Sequence, residues 1–203
     1  MGKEDRLLVL ISGRARAGKD TTGIYLKKYF KGAKLMAYSD PLKKDLMSNL
    51  GLTYQQLYGD LKEVPDIRYP KPNGDGYWTP RQMMQAYGQF MRSLDTNYWV
   101  NKLFAEIEKK CYNEVIITDG RQSNEVDAVS SRGGYHIRIT RPGDNAITGK
   151  DHETEVALDK EDYVTHYKID NNGTLQDLYL KLDYVIKDIM SKYSKTKEVY
   201  NGY

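Results

Sequence analysis

Cysteine is nearly absent. Cys111 is the only one in 203 residues, so no internal disulfide can form, and the chain reads as a protein of a reducing, cytoplasmic compartment. The three histidines, His136, His152 and His166, show no metal-ligand spacing. No apolar stretch approaches the roughly 20 residues that a membrane helix needs. The opening MGKEDR is too charged, and too soon followed by an apolar run, to read as a secretory signal. A soluble protein without a membrane partner is expected. Neither sign of charge dominates: 31 Lys and Arg face 28 Asp and Glu, for a net +3. That balance argues against general nucleic-acid binding and suits a small anionic substrate. No Pro/Ser or Gly/Ser linker divides the chain, so one domain over about residues 1–190 is expected, followed by a polar tail over 191–203. Phenylalanine is scarce, 3 copies against 18 tyrosines, and most of those rings should sit at the edge of the core with the hydroxyl in water.

What is present begins with the apolar run LLVLIS, followed at once by GRARAGKDTT. Gly13, Gly18 and Lys19 stand at the spacing of G-x-x-x-x-G-K. There, small residues let consecutive backbone N–H groups curl around phosphate oxygens, and the lysine adds a mobile positive charge. The helix that follows contributes its positive N-terminal end. The position after the lysine, ordinarily the Ser or Thr that binds magnesium, is Asp20, with Thr21 and Thr22 behind it. The apolar run before the loop, and Ile24, Leu26 and Phe30 after it, supply the strand and helix that the motif requires. Nucleoside triphosphate binding is the first expectation.

Strands are expected at Leu7 to Ser12, Lys34 to Tyr38, Glu114 to Thr118, Tyr135 to Thr140 and Tyr167 to Ile169, with helical periodicity in most of the intervening segments. This alternation predicts an α/β fold, a five-stranded mostly parallel sheet flanked by helices on both faces. Asp40-Pro41 and Thr79-Pro80 read as helix starts, and Asp95 or Asn97 as the cap of a third helix carrying Trp99, Leu103 and Ile107. A last helix runs from Thr174 through Ile189. Gly59 to Tyr77 holds too much Pro and Gly for regular structure, and a loop of that length inside a compact domain is usually functional.

EVIITD ends at Asp119, at the C-terminal end of a buried strand, where a nucleotide-binding sheet holds its magnesium partner. Asp119 either holds a metal-bound water or restrains Lys19; the plainer alternative is a turn or helix-cap aspartate. Arg121 lies two residues on, and the planar fork of arginine suits phosphate. Arg68, Arg81, Arg92 and Arg141 are further candidates, each alone as readily a solvated surface arginine. His152 and Glu155 in DHETE carry no assigned catalytic role. The polar tract Gly143 to Lys150 reads either as a small lid or as an ordinary surface loop.

Several segments together resemble the phage-type deoxynucleoside monophosphate kinases, a branch of the P-loop nucleotide kinases. They are GKDT in the loop, YSDPLKKDL, TPRQMMQAYGQFMR, ITDGRQSNEVDAV, IRITRPG, DHETE and DNNGTLQDL. They occur in the family's order from about Leu7 to Leu182, and the chain differs in reading AYGQ, DGR and HETE at three places. The resemblance implies a three-layer P-loop kinase fold with an acceptor-binding insertion over about 40–95 and a lid over about 141–155. It implies that Gly13 to Thr22, including Arg16, Ala17, Gly18, Lys19, Asp20 and Thr21, binds the ATP phosphates and Mg2+. Thr21 and Asp119 would be the metal residues, and Asn172 and Gly173, within Asn171 to Thr174, would lie near the adenine.

It further implies that Asp40, Lys43, Arg68, Arg81, Gln85 and Arg121 surround a deoxynucleoside monophosphate, with Arg141 on the lid side and Lys19, Arg121 and Arg141 acting on the transferred phosphoryl. Asp40 reads equally as a helix cap, and Asn172-Gly173 as a strand-to-helix turn. A homodimer, and a host-cytoplasmic location for a phage-encoded chain, follow from the likeness alone. Rival readings are another small-molecule kinase of the same fold, of phosphomevalonate or dephospho-coenzyme A type, or a nucleotide-switch binding protein. A nucleic-acid end kinase would call for a basic stripe that the sequence does not show.

Overall fold

The computed structural model describes residues 6–141 and 163–200, with side chains through 194. The expected lid tract and the DHETE stretch, with His152 and Glu155, lie outside the described residues. The chain divides into two compact units, Met1–Ala37 with Ile107–Tyr203, and Tyr38–Glu106. The second takes in the stretch 40–95 expected to be an acceptor insertion.

In the first unit, β1 (Leu7–Ser12), β2 (Lys34–Met36), β3 (Glu114–Gly120), β4 (Tyr135–Thr140) and β5 (Tyr167–Asp170) form a five-stranded sheet in the order β2-β3-β1-β4-β5. Every pairing is parallel. All six residues of β1 are buried, as expected of a central strand with both faces covered. Alternate residues divide between the faces. Leu7, Val9 and Ile11 join Leu26 and Phe30 of helix α1 (Lys19–Tyr29) and Leu178, Leu182, Val185 and Ile189 of the last helix, which runs Leu175–Tyr200, in one apolar cluster. Leu8 faces the other way, toward Val129 of the helix Ser123–Ser130, with Gly134 leaving room between them. The chain is thus an α/β protein with helices on both faces of a parallel sheet.

The second unit is helical: α2 (Ser39–Leu50), α3 (Tyr54–Tyr58), α4 (Pro80–Leu94) and most of α5 (Tyr98–Lys109). The two helices of the first unit introduced above by range are α6 (Ser123–Ser130) and α7 (Leu175–Tyr200). Leu42, Leu46, Leu52, Leu57, Met83 and Trp99 make the helical unit's core, and the Trp99 indole N–H donates to the Gly88 carbonyl at 3.1 Å. Thr79 and Gln82 form a capping box ahead of α4, with Pro80 in its first turn. Thr53 and Gln56 do the same for α3.

Four expectations change. Asp40 lies inside the first turn of α2, whose N-cap position is Tyr38, so it is not the cap. The second strand stops at Met36. The last helix continues through Tyr200 rather than giving way to a tail near Ile189. Gly59 to Tyr77 holds a short 3-10 turn at Asp60–Glu63 and an antiparallel bridge between Pro70 and Tyr77. Some tyrosine hydroxyls donate to carboxylates, Tyr25 to Asp183 at 2.8 Å and Tyr167 to Asp188 at 2.6 Å.

One buried polar link ties the sheet together. His136 in β4 is fully buried. Its Nδ1 lies 2.9 Å from the Val164 carbonyl and its Nε2 2.7 Å from the Ser12 hydroxyl. A carbonyl can only accept, so Nδ1 carries the proton and Ser12 donates to Nε2. Burial, with Arg138 and His166 adding to it and the Val164 bond opposing, brings His136 down from 6.5 to about 4. The folded chain keeps this ring neutral while the unfolded chain protonates it, so the ring's own contribution to stability is whole above pH 6.5 and is lost as the pH drops toward 4. The loss amounts to about 3 kcal/mol across that window. Urea unfolding of His136→Gln should show a pH dependence flatter by about that amount over the same window; an unchanged slope would assign the acid sensitivity elsewhere.

Candidate active site

The phosphate loop leaves β1 at Gly13 and enters α1 at Lys19. A Cβ on Gly13 would stand 2.4 Å from the Ile139 carbonyl oxygen of β4, and one on Gly18 2.8 Å from Asn171 Nδ2. Gly18 holds φ 109°, and Arg16 φ 65°, so the loop uses backbone geometry that L-residues avoid. The ammonium of Lys19 folds back onto it, donating to the carbonyls of Gly13 and Arg14 at 2.7 Å each. Lys19 is buried at the positive end of α1, a place that favours an anion. Ala17 is buried, Asp20 is exposed and Thr21 is half-buried. Thr22 is buried against the loop, with its backbone N–H on the Gly18 carbonyl and its Oγ1 unpartnered among the described residues.

Asp119 lies at the end of β3, next to β1. Leu10 pairs with Ile117 but Ser12 with Gly120, so one extra residue is accommodated between Ile117 and Gly120. Such bulges re-aim a strand end beside functional sites. Asp119 is therefore a strand-end residue. It is not the cap of α6, which is closed by Gln122 and Glu125. Glu125 Oε2 accepts the backbone N–H groups of Arg121 at 2.7 Å and Gln122 at 3.1 Å, fixing the chain at Arg121. Burial and the neighbouring Asp119 charge push Glu125 up to about 8, against those two N–H bonds. Glu125 was given no role by the sequence reading, although Q-x-x-E at a helix start is a capping-box signal.

Arg141 follows β4 directly, and its Nη1 lies 3.5 Å from the Arg16 carbonyl of the loop. The chain leaves β1 toward β2 and leaves β4 toward β5, opposite directions across the sheet, and ligands bind at such divergence points. Asn171 Nδ2 donates to the Ala17 carbonyl at 2.9 Å, joining the β5–α7 turn to the loop. Asn172 accepts from Lys181, and a Cβ on Gly173 would meet Asp177 Oδ2 at 2.5 Å. This turn is the strand-to-helix connection that the sequence reading allowed. In the first unit, Arg141 and Asn171 contact the loop and the Asp119–Gly120 strand end lies beside Ser12, while Arg121, Asn172 and Gly173 follow the C-terminal ends of neighbouring strands.

Asp40, Lys43, Arg68, Arg81 and Gln85 lie in the helical unit. Tyr58 donates to Asp40 at 3.4 Å, and Lys43 Nζ stands 4.2 Å from the centre of the Tyr58 ring. Burial and the Asp40 charge push the Tyr58 hydroxyl up to about 12. Arg81 pairs with Glu63, and Gln85 follows one turn later on the same face of α4. Arg68 is held by the buried Asp66, a residue that no spacing pattern singled out.

Residues 58–182 match the family model described as deoxynucleotide monophosphate kinase. The chain belongs to this family. It is 31% identical over 200 residues to a putative deoxynucleotide monophosphate kinase of Acanthamoeba polyphaga mimivirus, covering 87% of this chain and 94% of that one. It is 28% identical over 149 residues to the deoxynucleotide monophosphate kinase of Escherichia phage RB69, covering 70% of this chain and 58% of that one. A shikimate kinase from Acinetobacter baumannii solved with shikimate superposes with a TM-score of 0.48 at 17% identity, over 91% of this chain and 95% of that one. As a deoxynucleotide monophosphate kinase, the chain uses ATP and takes a deoxynucleoside monophosphate as its acceptor class, in place of the rival acceptors considered above. The family match begins after the phosphate loop, so it rests on the segment containing Arg68, Arg81, Gln85, Arg121 and Arg141. Among the described residues no helix is long and apolar enough to cross a membrane.

Gly13→Ala should abolish measurable ATP binding in calorimetry, because the added carbon meets a backbone oxygen of the sheet. It should also cost about 1–3 kcal/mol of stability. Wild-type affinity for ATP in this variant would show that the loop can re-form around a side chain.

Proposed function

We propose that this kinase transfers the γ-phosphoryl group of ATP in line to the phosphate of a deoxynucleoside 5′-monophosphate. The bond from the γ-phosphorus to the β–γ bridging oxygen breaks as a bond to an acceptor phosphate oxygen forms, releasing ADP and the deoxynucleoside diphosphate. The observation that carries this reading is the buried Lys19 ammonium held over its glycine-bounded loop by the Gly13 and Arg14 carbonyls. A phosphate in the loop would accept charge-assisted hydrogen bonds from that ammonium. Lys19 then neutralises the moving group, with Arg121 and Arg141 sharing the charge.

The protein has little covalent work to do. The acceptor oxygen belongs to a phosphate already largely ionised near neutral pH, so no strong general base is needed, and rate comes from positioning and charge. Recognition of the acceptor is assigned to Asp40, Lys43, Arg68, Arg81 and Gln85, and the adenine of ATP to the Asn172-Gly173 turn beside the loop. The donor set at the loop suits magnesium. Thr21 offers a hydroxyl and Asp119 a carboxylate, both hard oxygens, and among the described residues no group of three or more His, Cys, Asp or Glu competes for an ion. Thr21 and Asp119 would hold it, the latter directly or through water. Magnesium, when bound, offsets phosphate charge and orients the triphosphate.

ADP release from Mg-ATP is expected with one or more of dAMP, dCMP, dGMP and dTMP and to be slower with the matching ribonucleotides; turnover with none of the eight would overturn the acceptor assignment. Lys19→Ala should lower kcat at least about a thousandfold with the fold intact by circular dichroism. Asp119→Asn should raise the magnesium concentration needed for half-maximal rate, and an unshifted magnesium curve would return Asp119 to a structural role.

A further inference from the structure

The Asp66 carboxylate is buried in the helical unit, its side chain 5% exposed, while the Arg68 side chain that it holds is 49% exposed. Oδ1 accepts Arg68 Nε at 2.9 Å and the Arg68 backbone N–H at 3.1 Å; Oδ2 accepts Arg68 Nη2 at 2.6 Å and Gln56 Nε2 at 2.8 Å. The carboxylate thus has four donors, two of them from one guanidinium in side-on pairing. Arg68 Nη1 donates to the Gly51 carbonyl at 3.2 Å. A guanidinium has five N–H groups. These contacts use three, which leaves one on each terminal nitrogen of a half-exposed fork.

We propose that Asp66 is a positioning residue that locks the Arg68 guanidinium in the orientation that receives the acceptor's phosphate. This rests on the assignment of Arg68 to the acceptor made above. A free arginine must surrender rotamer freedom when it grips an anion, and one already fixed surrenders less, so pre-orientation appears as acceptor affinity. Phosphate suits the arrangement because its oxygens can take the two remaining N–H groups together. The loop does not need the guanidinium to hold its shape. Tyr69 N–H donates to the Asp66 carbonyl at 3.0 Å, Asp66 N–H to the Trp78 carbonyl at 2.9 Å and Trp78 N–H to the Tyr69 carbonyl at 2.9 Å. Backbone bonds therefore close the loop on their own account. Arg68 chiefly, then Gln56 and the Arg68 backbone, hold Asp66 well below the usual carboxylate range despite its burial, so the clamp stays charged wherever the enzyme works.

The test is calorimetric binding of dAMP, dCMP, dGMP and dTMP without ATP, with the tightest used to compare variants. Asp66→Asn keeps the shape and loses the charge; it should weaken binding about tenfold and leave ATP affinity unchanged. Arg68→Lys should weaken binding similarly, and the double variant should be no weaker than the worse single one, since both remove one interaction. Gln56→Ala, which loses an α3 cap and one Asp66 donor but leaves the fork paired, should lower Tm without changing acceptor affinity. Wild-type acceptor affinity in Asp66→Asn, or losses that add in the double variant, would overturn the clamp. Wild-type affinity in Arg68→Lys would overturn it by removing Arg68 from the acceptor, while ADP release with a deoxynucleotide would leave the kinase reading intact. A wild-type protein that binds none of the four would overturn both.

Discussion

The sheet-bearing unit depends on a turn that has no room for a side chain. The chain leaves β1, all six residues of which are buried, and must at once bend into the loop that leads to α1. At Gly13 that bend passes so close to the end of β4 that a single carbon would overlap the Ile139 carbonyl. The rest of the unit follows from that constraint. β4 must lie beside β1, α1 must begin where the turn ends, and Asn171 must come from β5 to meet the Ala17 carbonyl. The Ser12–His136 bond, one residue before the turn, joins the same two strands from inside the core. A buried neutral histidine is an expensive way to do so in acid. It supplies a donor and an acceptor at once, which neither an apolar residue nor a hydroxyl could do at that distance.

In the helical unit, the cations assigned to the acceptor are already in company. Arg68 is held by Asp66, Arg81 pairs with Glu63 and Lys43 lies over the Tyr58 ring. The pairs differ in kind. Arg81 and Glu63 are both well exposed, and a pair of that sort contributes little to stability. Asp66 is buried and multiply bonded, so losing its partner would leave an uncompensated charge.

Much of this was legible in the sequence. LLVLIS, the G-x-x-x-x-G-K spacing and the strand–helix alternation are local patterns with local causes, and β1 and β4 begin and end where periodicity placed them. Thr79-Pro80 marked α4 because cap and proline chemistry act within four residues. What was missed has long-range causes. Nothing near His136 announces Ser12, which lies 124 residues away. Nothing in PDIR says that its aspartate is buried, since burial depends on α3 and on the pairing of Tyr69 with Trp78. The aspartates that Tyr25 and Tyr167 meet on the last helix were equally hidden, since composition cannot name a partner. The bulge at the end of β3 is a register effect, visible only once β1 is laid beside it.

The start of α6 places a second carboxylate near Asp119. Glu125 is buried close enough to Asp119 to feel its charge, and two ionised carboxylates there would repel the phosphates that the loop is built to hold. Burial settles the matter by raising Glu125 to about 8, so that at neutral pH it is mostly neutral. It still accepts the N–H groups of Arg121 and Gln122 in that form. The chain at Arg121 is therefore fixed by an acid that adds little negative charge beside Asp119. A glutamine at position 125 could make the same backbone bonds. What distinguishes the glutamate is that burial and the Asp119 charge together favour the protonated carboxyl while it accepts both backbone N–H groups.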